Sequence, residues 1–336
     1  MFLPDGNVRQ MAVIVPRTVR RLLAALVVIG AWSPMPPASA AYPGTEGRIA
    51  FVRDGAIWTA AANGSDQVQL TRIGVASSPV WSPDGERIAF GWLRLSSGTR
   101  TDIWTMAADG SDKRQITAHV AADSSPTWSP DGRFLAFQSD RRDIGHGVGE
   151  IFKIRSSADA ALRARRLTDG GDGGADIRPA WSPLGDVIAF NRTFNRDQCT
   201  GCSSYEVWTV TPDGTTEARV SIEHPRAESP AWSPFAKRIA FTYGVQDDQG
   251  RYVASNLYHV APDGTDIRTL TAFVDGTFNR AFTPAWSPDH GRRILFTYYA
   301  DYEEGWIPSI WRIGSRGLTE PVQLIANGED PDWQPL

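Results

Sequence analysis

One phrase recurs along this chain and limits what it can fold into. Trp81-Ser82-Pro83-Asp84-Gly85 returns as Trp128-Ser129-Pro130-Asp131-Gly132. It returns with variation as Trp181-Ser182-Pro183-Leu184-Gly185, Trp232-Ser233-Pro234-Phe235 and Trp286-Ser287-Pro288-Asp289, and a frayed copy ends the chain at Trp333-Gln334-Pro335. The tryptophans stand 47, 53, 51, 54 and 47 residues apart. A period of roughly 40–50 residues with strand-like content belongs to propeller blades, small sheets that bury their faces against their neighbours. The 336 residues, long enough for two domains by length alone, are therefore expected to form one.

Each period holds four strand signals. In the second repeat these are Ser78–Pro83, Arg87–Phe90, Thr101–Met106 and Arg114–Thr117, with Asp84-Gly85 and Asp109-Gly110 as turns. Alternation and β-branched or aromatic content favour strand over helix. The first repeat starts at its second strand, Arg48–Phe51, and the chain ends on a lone first strand, Asp330–Pro335. The expected fold is all-β: a six-bladed β-propeller of four-stranded antiparallel blades over residues 48–336. The C-terminal strand completes blade one and leaves no open edge.

Residues 1–40 stand outside this pattern. Arg17, Arg20 and Arg21 precede an apolar run, Leu22–Trp32, and then Ala38-Ser39-Ala40. This is the layout of a secretory signal, with cleavage expected after Ala40. Met11 is an alternative start, a retained anchor stays open as a second reading, and Arg20-Arg21 leaves twin-arginine export open beside the general route. The run is shorter than the ~20 residues of a membrane span, so no span is expected after cleavage. Residues 41–47 form a lead-in. The protein is expected to be secreted, or periplasmic and associated with the cell envelope.

The formal charge is −4, and residues 1–40 hold four Arg against one Asp, so the repeats are more acidic still. That excludes a general nucleic-acid binder, which needs a basic surplus. The two cysteines, Cys199 and Cys202, form C-T-G-C. In an exported β-protein this spacing reads as a local disulfide, and two ligands are too few for a zinc site.

The sequence W-S-P-D-G-x-R-I-A-F, followed by D-I-W, D-G-S and I-T, resembles the WD-like repeat of the TolB-like β-propeller family. The likeness spans about residues 48–336. It implies the propeller fold and a protein-binding role at the cell envelope. TolB proteins carry an N-terminal α/β domain, for which residues 41–47 leave no room. Related propellers precede the hydrolase domain of prolyl-oligopeptidase-like peptidases, and here the repeats run to the last residue. A propeller alone is the expectation.

Strand order sorts the connections onto two sides. The Asp-Gly turns share one side and read as structural, since Gly supplies the positive φ and Asp caps its own turn. The other side collects long connections, including 92–100, 139–149, 168–178, 192–204, 243–254 and 298–308, where binding residues usually sit. The inner strand edge contributes Ser78, Ser125, Arg178, Ser229, Thr283 and Asp330, one per repeat, and Arg178 and Asp330 are its charged exceptions. Tyr298, Tyr299, Tyr302 and Trp306 form an aromatic group that can stack on a peptide or sugar, or pack among loops. Arg141 and Arg192, with Arg142, Arg196 and Arg251, can meet an acidic ligand or pair with nearby Asp140, Asp143, Asp197, Asp247 and Asp248. The Gly-Asp run 169–176 offers oxygen ligands without calcium-loop spacing. The five histidines show no ligand spacing, so no metal or cofactor is expected.

No G-x-S-x-G elbow and no H-E-x-x-H occurs. The leading reading is a non-catalytic, monomeric binding module for a protein or peptide. Two alternatives stay open: a carbohydrate lyase or hydrolase working in the axial funnel, and a purely structural propeller.

Overall fold

The computed structural model describes residues 41–336 apart from 73, 94–99, 143–148, 158–163, 171–173, 196–202, 221–226, 247–251, 274–279, 301–306 and 318. The described elements are all strands. The first sheet holds β1 (Glu46–Arg53), β2 (Ala56–Ala60) and β3 (Val68–Gln69), and the second β4 (Val75–Trp81), β5 (Arg87–Leu93), β6 (Thr101–Ala107) and β7 (Arg114–Gln115). The third holds β8 (Asp123–Trp128), β9 (Phe134–Ser139), β10 (Glu150–Arg155) and β11 (Arg165–Arg166). The fourth holds β12 (Asp176–Trp181), β13 (Ile188–Asn195), β14 (Ser203–Val210) and β15 (Glu217–Arg219). Next come β16 (Ala227–Trp232), β17 (Ile239–Gln246), β18 (Tyr252–Val260) and β19 (Arg268–Thr269), then β20 (Arg280–Trp286), β21 (Arg293–Ala300), β22 (Ile307–Gly314) and β23 (Val322–Ala326). These last two sets are joined into one eight-stranded sheet by a parallel bridge between Ser255 and Arg280. Within each set neighbouring strands are antiparallel. Finally β24 (Glu329–Pro335) lies antiparallel to β1, with Ile49 opposite Trp333.

The R-I-A-F segment shows why the repeat packs as it does. Successive side chains on a strand point to opposite faces. Ile49 and Phe51 pack with Leu295, Ile310 and Ile325 of the sixth set, whereas Ala50 packs with Ile88, Phe90 and Trp104 of the second sheet. Ile88 and Phe90 in turn face Ala50, and Ala89 sits in the cluster that includes Leu135 and Phe137 of the third sheet. Each second strand is thus buried on both faces, with the bulky pair toward the preceding sheet and the residue between them, Ala in five repeats and Leu295 in the sixth, toward the next. All six of Phe51, Phe90, Phe137, Phe190, Phe241 and Phe296 are fully buried, each contributing about 1.5–3 kcal/mol.

The other repeated residues wire turns and sheets together. The serine of W-S-P closes its own turn: Ser82 Oγ donates to Asp84 (2.5 Å) and accepts the Arg87 amide (2.9 Å), and Ser129 does the same with Asp131 and Phe134. The tryptophan links sheets. Trp128, Trp232 and Trp286 donate from the indole to the carbonyls of Val80, Ala180 and Ala231 on the preceding sheet (3.0–3.2 Å). In four of the repeats a terminal threonine accepts a third-strand amide, Thr71 from Ile57, Thr117 from Ile103, Thr168 from Ile151 and Thr271 from Leu257. These turns spend their polar atoms internally, which accounts for the Asp-Gly pairs without a binding role.

Candidate functional site

The first strand of every repeat carries a bulge at the same place. Its register slips between Ser77 and Val80, Ser124 and Thr127, Ile177 and Ala180, Glu228 and Ala231, and Phe282 and Ala285, and β24 slips opposite Ala50 and Val52. The residues in these slips are Ser78, Ser125, Arg178, Ser229, Thr283 and Asp330, with φ between 49° and 58°. Each precedes a proline, which itself disfavours helical backbone at the residue before it. A left-handed non-glycine residue costs on the order of 1–3 kcal/mol. Here that conformation recurs six times, on residues no more than 7% exposed. A bulge re-aims a side chain, so one residue per repeat is turned inward by the same device.

Their partners differ. Ser229 donates its amide to Asn191 Oδ1 (2.8 Å), and Asp330 donates its amide to Thr297 Oγ1 (3.0 Å), itself 2.7 Å from Thr283 Oγ1. Arg178 pairs with Glu228 (2.9 Å) and donates to Ser229 Oγ (3.0 Å). The Asp330 carboxyl is held well above the usual carboxylate range by burial and then by Glu329, partly offset by the Ser78 amide that it accepts and by Arg178. Glu329 accepts the Tyr299 hydroxyl (2.5 Å), and burial followed by this carboxylate raises Tyr299. One guanidinium thus stands among three carboxyl groups.

A pH test follows from Asp330. Its folded-state pKa is raised, so its contribution to stability is full below the unfolded value of about 4 and is lost as pH rises toward the folded value. Asp330→Asn has no such loss. The melting temperature of the variant relative to wild type is therefore expected to rise as pH is raised from about 4 to 7. A difference flat with pH, in parallel thermal scans, would contradict this.

The lead-in packs at the tryptophan ends of two first strands, β8 and β16. Tyr42 is buried and donates its hydroxyl to the Trp128 carbonyl (2.5 Å), while the Ala41 amide bonds to the Trp232 carbonyl (3.2 Å). Tyr42 lies in one apolar cluster with Val80, Trp128, Ala180 and Trp232, which come from four different sheets. Nothing in Y-P-G marks this role, because the signal is a tertiary contact.

The structure fixes where several of the candidate residues lie. Tyr298 and Tyr299 lie in β21, paired with Ser309 and Pro308, because the β21–β22 hairpin runs further than the apolar core pattern indicates. Tyr298 packs against Phe273 and Trp311, with centroids 5.1 and 4.9 Å away, and Tyr299 against Phe282 at 5.7 Å. Tyr302 and Trp306 lie outside the described residues, as do Cys199 and Cys202. Arg192 lies in β13 and is buried, with both Asp176 oxygens at 2.7 and 2.8 Å and Glu217 at 2.7 Å. Arg141 holds Asp123 at 2.7 Å and lies over Phe137 and Phe152. Both arginines pair with buried aspartates from the start of a first strand, and of the aspartates beside them in sequence Asp143, Asp197, Asp247 and Asp248 lie outside the described residues. Asp176, an oxygen donor of the Gly-Asp run, is thereby taken. Among the described residues no three His, Cys, Asp or Glu side chains gather to hold a metal.

A cavity of about 230 Å³ also opens beside β6, lined by Trp92, Asp102, Trp104, Gln115 and His119 among others. Burial, and then Asp123, push the Asp102 carboxyl up to about 6. Its oxygens accept from Gln115 (3.0 Å) and Thr117 (3.4 Å).

A family profile described as the TolB beta propeller domain matches residues 54–288. The chain belongs to this family. Among solved structures it is similar to TolB from Acinetobacter baumannii, at 19% identity and a TM-score of 0.65, over 86% of this chain and 67% of that one. It is similar to a putative TolB from Agrobacterium tumefaciens, at 18% identity and a TM-score of 0.61, over 85% and 91%. An oligogalacturonate lyase in complex with manganese shares the fold at 15% identity and a TM-score of 0.51, over 86% and 74%. These likenesses speak to the fold alone. No curated protein matches the chain. Among the described residues no helix is long and apolar enough to cross a membrane.

Proposed function

We propose that the chain is an exported, non-catalytic binding module: six blades about one axis, closed by β24, that takes a protein or peptide at the axial mouth edged by the six pre-proline residues. Apolar clusters between each sheet and the next, and between the last set and the first, support the closed ring. The basic, apolar and A-x-A order of residues 17–40 supports export to the envelope or beyond. The observation that carries the binding reading is the repeated left-handed pre-proline residue, charged only at Arg178 and Asp330. Ser and Thr at the other four repeats show that neither charge is needed to build the bulge, so the charges serve recognition. On this reading Tyr42 plugs the tryptophan end of the axis and a partner enters from the other.

The test is capture from envelope and secreted fractions by the full chain and by the Arg178→Ser, Asp330→Ser double variant, which restores the residue type of the other repeats. A partner held by wild type and lost by a variant of similar melting temperature is the expected result. Equal capture by both would remove the axial mouth as the binding surface.

A further inference from the structure

The polar atoms of the axial mouth select a ligand class, and their assignment rests on the binding reading of that surface. Among the described residues, Asp330 Oδ1 and Ser78 Oγ are buried atoms without a hydrogen-bond partner. They belong to adjacent residues of the mouth, because the Asp330 carboxyl accepts the Ser78 amide. A buried polar atom without a protein partner loses hydration and gains no bond in return, so such atoms in a folded protein mark strain, a bound water or a ligand. Their neighbours set the sign of that ligand. Glu329 and Glu228 stand on the same rim, and the cation among them, Arg178, is already bonded to Glu228 and Ser229. The rim is a net acceptor of positive charge.

We propose that Asp330 and Ser78, with Glu329 alongside, receive a primary ammonium group carried by a bound peptide, either its amino terminus or a lysine side chain. An ammonium is a compact charge with three donors, matched to acceptors that come from separate residues in different directions. A guanidinium needs a planar pair of acceptors on one group, and Asp330 has one oxygen already taken by the Ser78 amide. A metal ion would need more ligands than the mouth holds, since no three metal-ligating side chains gather among the described residues. The ligand enters past Asp330, which keeps 7% of its surface exposed, and past the half-buried Glu329. Arrival of the cation offsets the cost of ionising a buried carboxyl.

The experiment is a thermal-shift and calorimetric titration of the full chain with four probes. These are glycylglycine amide (free amino terminus), Nα-acetyl-lysine methylamide (side-chain amine), Nα-acetylglycine methylamide (no amine) and calcium chloride. At least one amine probe is expected to raise the melting temperature with concentration, and which one does so identifies the source of the ammonium. The acetylated control and calcium are expected to be silent. Asp330→Asn and Ser78→Ala should each weaken the amine probe, Asp330→Asn by about tenfold or more. Scans without ligand show whether each variant is folded, and the Ser78 variant serves if Asp330→Asn is not. No shift from either amine, an equal shift from the acetylated control, a shift from calcium alone, or full binding by both folded variants would overturn the assignment. If the amines fail while partner capture still depends on Arg178 and Asp330, the ammonium site falls and the binding module stands. If the amines bind while capture ignores those residues, the site stands and the partner docks elsewhere.

Discussion

A chain lacking Glu329–Leu336 is expected to lose its cooperative thermal transition, or to melt lower by roughly 20 °C or more. The segment carries more than one strand's worth of contacts. Trp333 is buried among Ile49, Phe51 and Leu295, and its removal alone costs about 3–5 kcal/mol. Asp332 accepts the Trp81 amide (2.7 Å), and Gln334 bridges the Arg48 amide (2.9 Å) and the Gly85 carbonyl (2.8 Å). Gly85 has φ 69°, and a Cβ there would sit 2.3 Å from the Pro335 carbonyl, so the turn and the last strand are shaped to each other. Deletion exposes the inner edge of β1 and leaves these groups unpaired, at about 1–3 kcal/mol for each one that stays buried. The sum rivals the roughly 5–15 kcal/mol net stability of a whole domain. Near-ultraviolet circular dichroism during a thermal scan reads the result, with Trp333→Ala as the milder comparison. An unchanged transition in the truncated chain would end the closed-ring reading.

Arg192→Ala is expected to cost about 3–5 kcal/mol, seen as a fall in melting temperature of roughly 5–10 °C. Asp176 is wholly buried, and its charge is met by the Arg192 guanidinium and one Gly170 amide (3.0 Å). Burial alone pulls the Arg192 pKa down, but the hydrogen bonds it donates to Asp176 and Glu217 more than reverse this, so the group stays charged. Its plane also lies over Phe190 and Trp208, at 5.3 and 4.7 Å. Removing it strands a carboxylate and opens a gap. Asp176→Asn in the Arg192→Ala background should recover part of the loss, because a neutral amide costs less to bury unpaired. Parallel denaturant melts decide it: no rescue, or a loss below about 1 kcal/mol, would make the pair a surface-like ion bridge.

Much of the architecture was legible because the repeat writes its local chemistry in short range. Ser82, Asp84 and Gly85 build a turn from atoms within five residues of one another. Ile and Phe two positions apart select one face of a strand, and Ala between them selects the other. Hence the four strands per repeat, their antiparallel order and the pairing of the C-terminal segment with β1 follow from spacing. The inner-edge residues were legible for the same reason, since each sits at a constant offset before its tryptophan.

The tertiary contacts lie beyond that reach. Tyr298, Tyr299 and Arg192 read as loop residues because a hairpin can outrun its apolar core, and only the partner strand shows where pairing stops. Arg141 and Arg192 meet Asp123 and Asp176, 18 and 16 residues away in sequence, because those carboxylates are buried and demand a cation. Tyr42 took its place among four sheets through a carbonyl 86 residues away. A periodic sequence determines what recurs in each blade. Where charges are buried, and where the lead-in packs, depends on groups brought together from strands far apart in the chain, and no local pattern encodes their meeting.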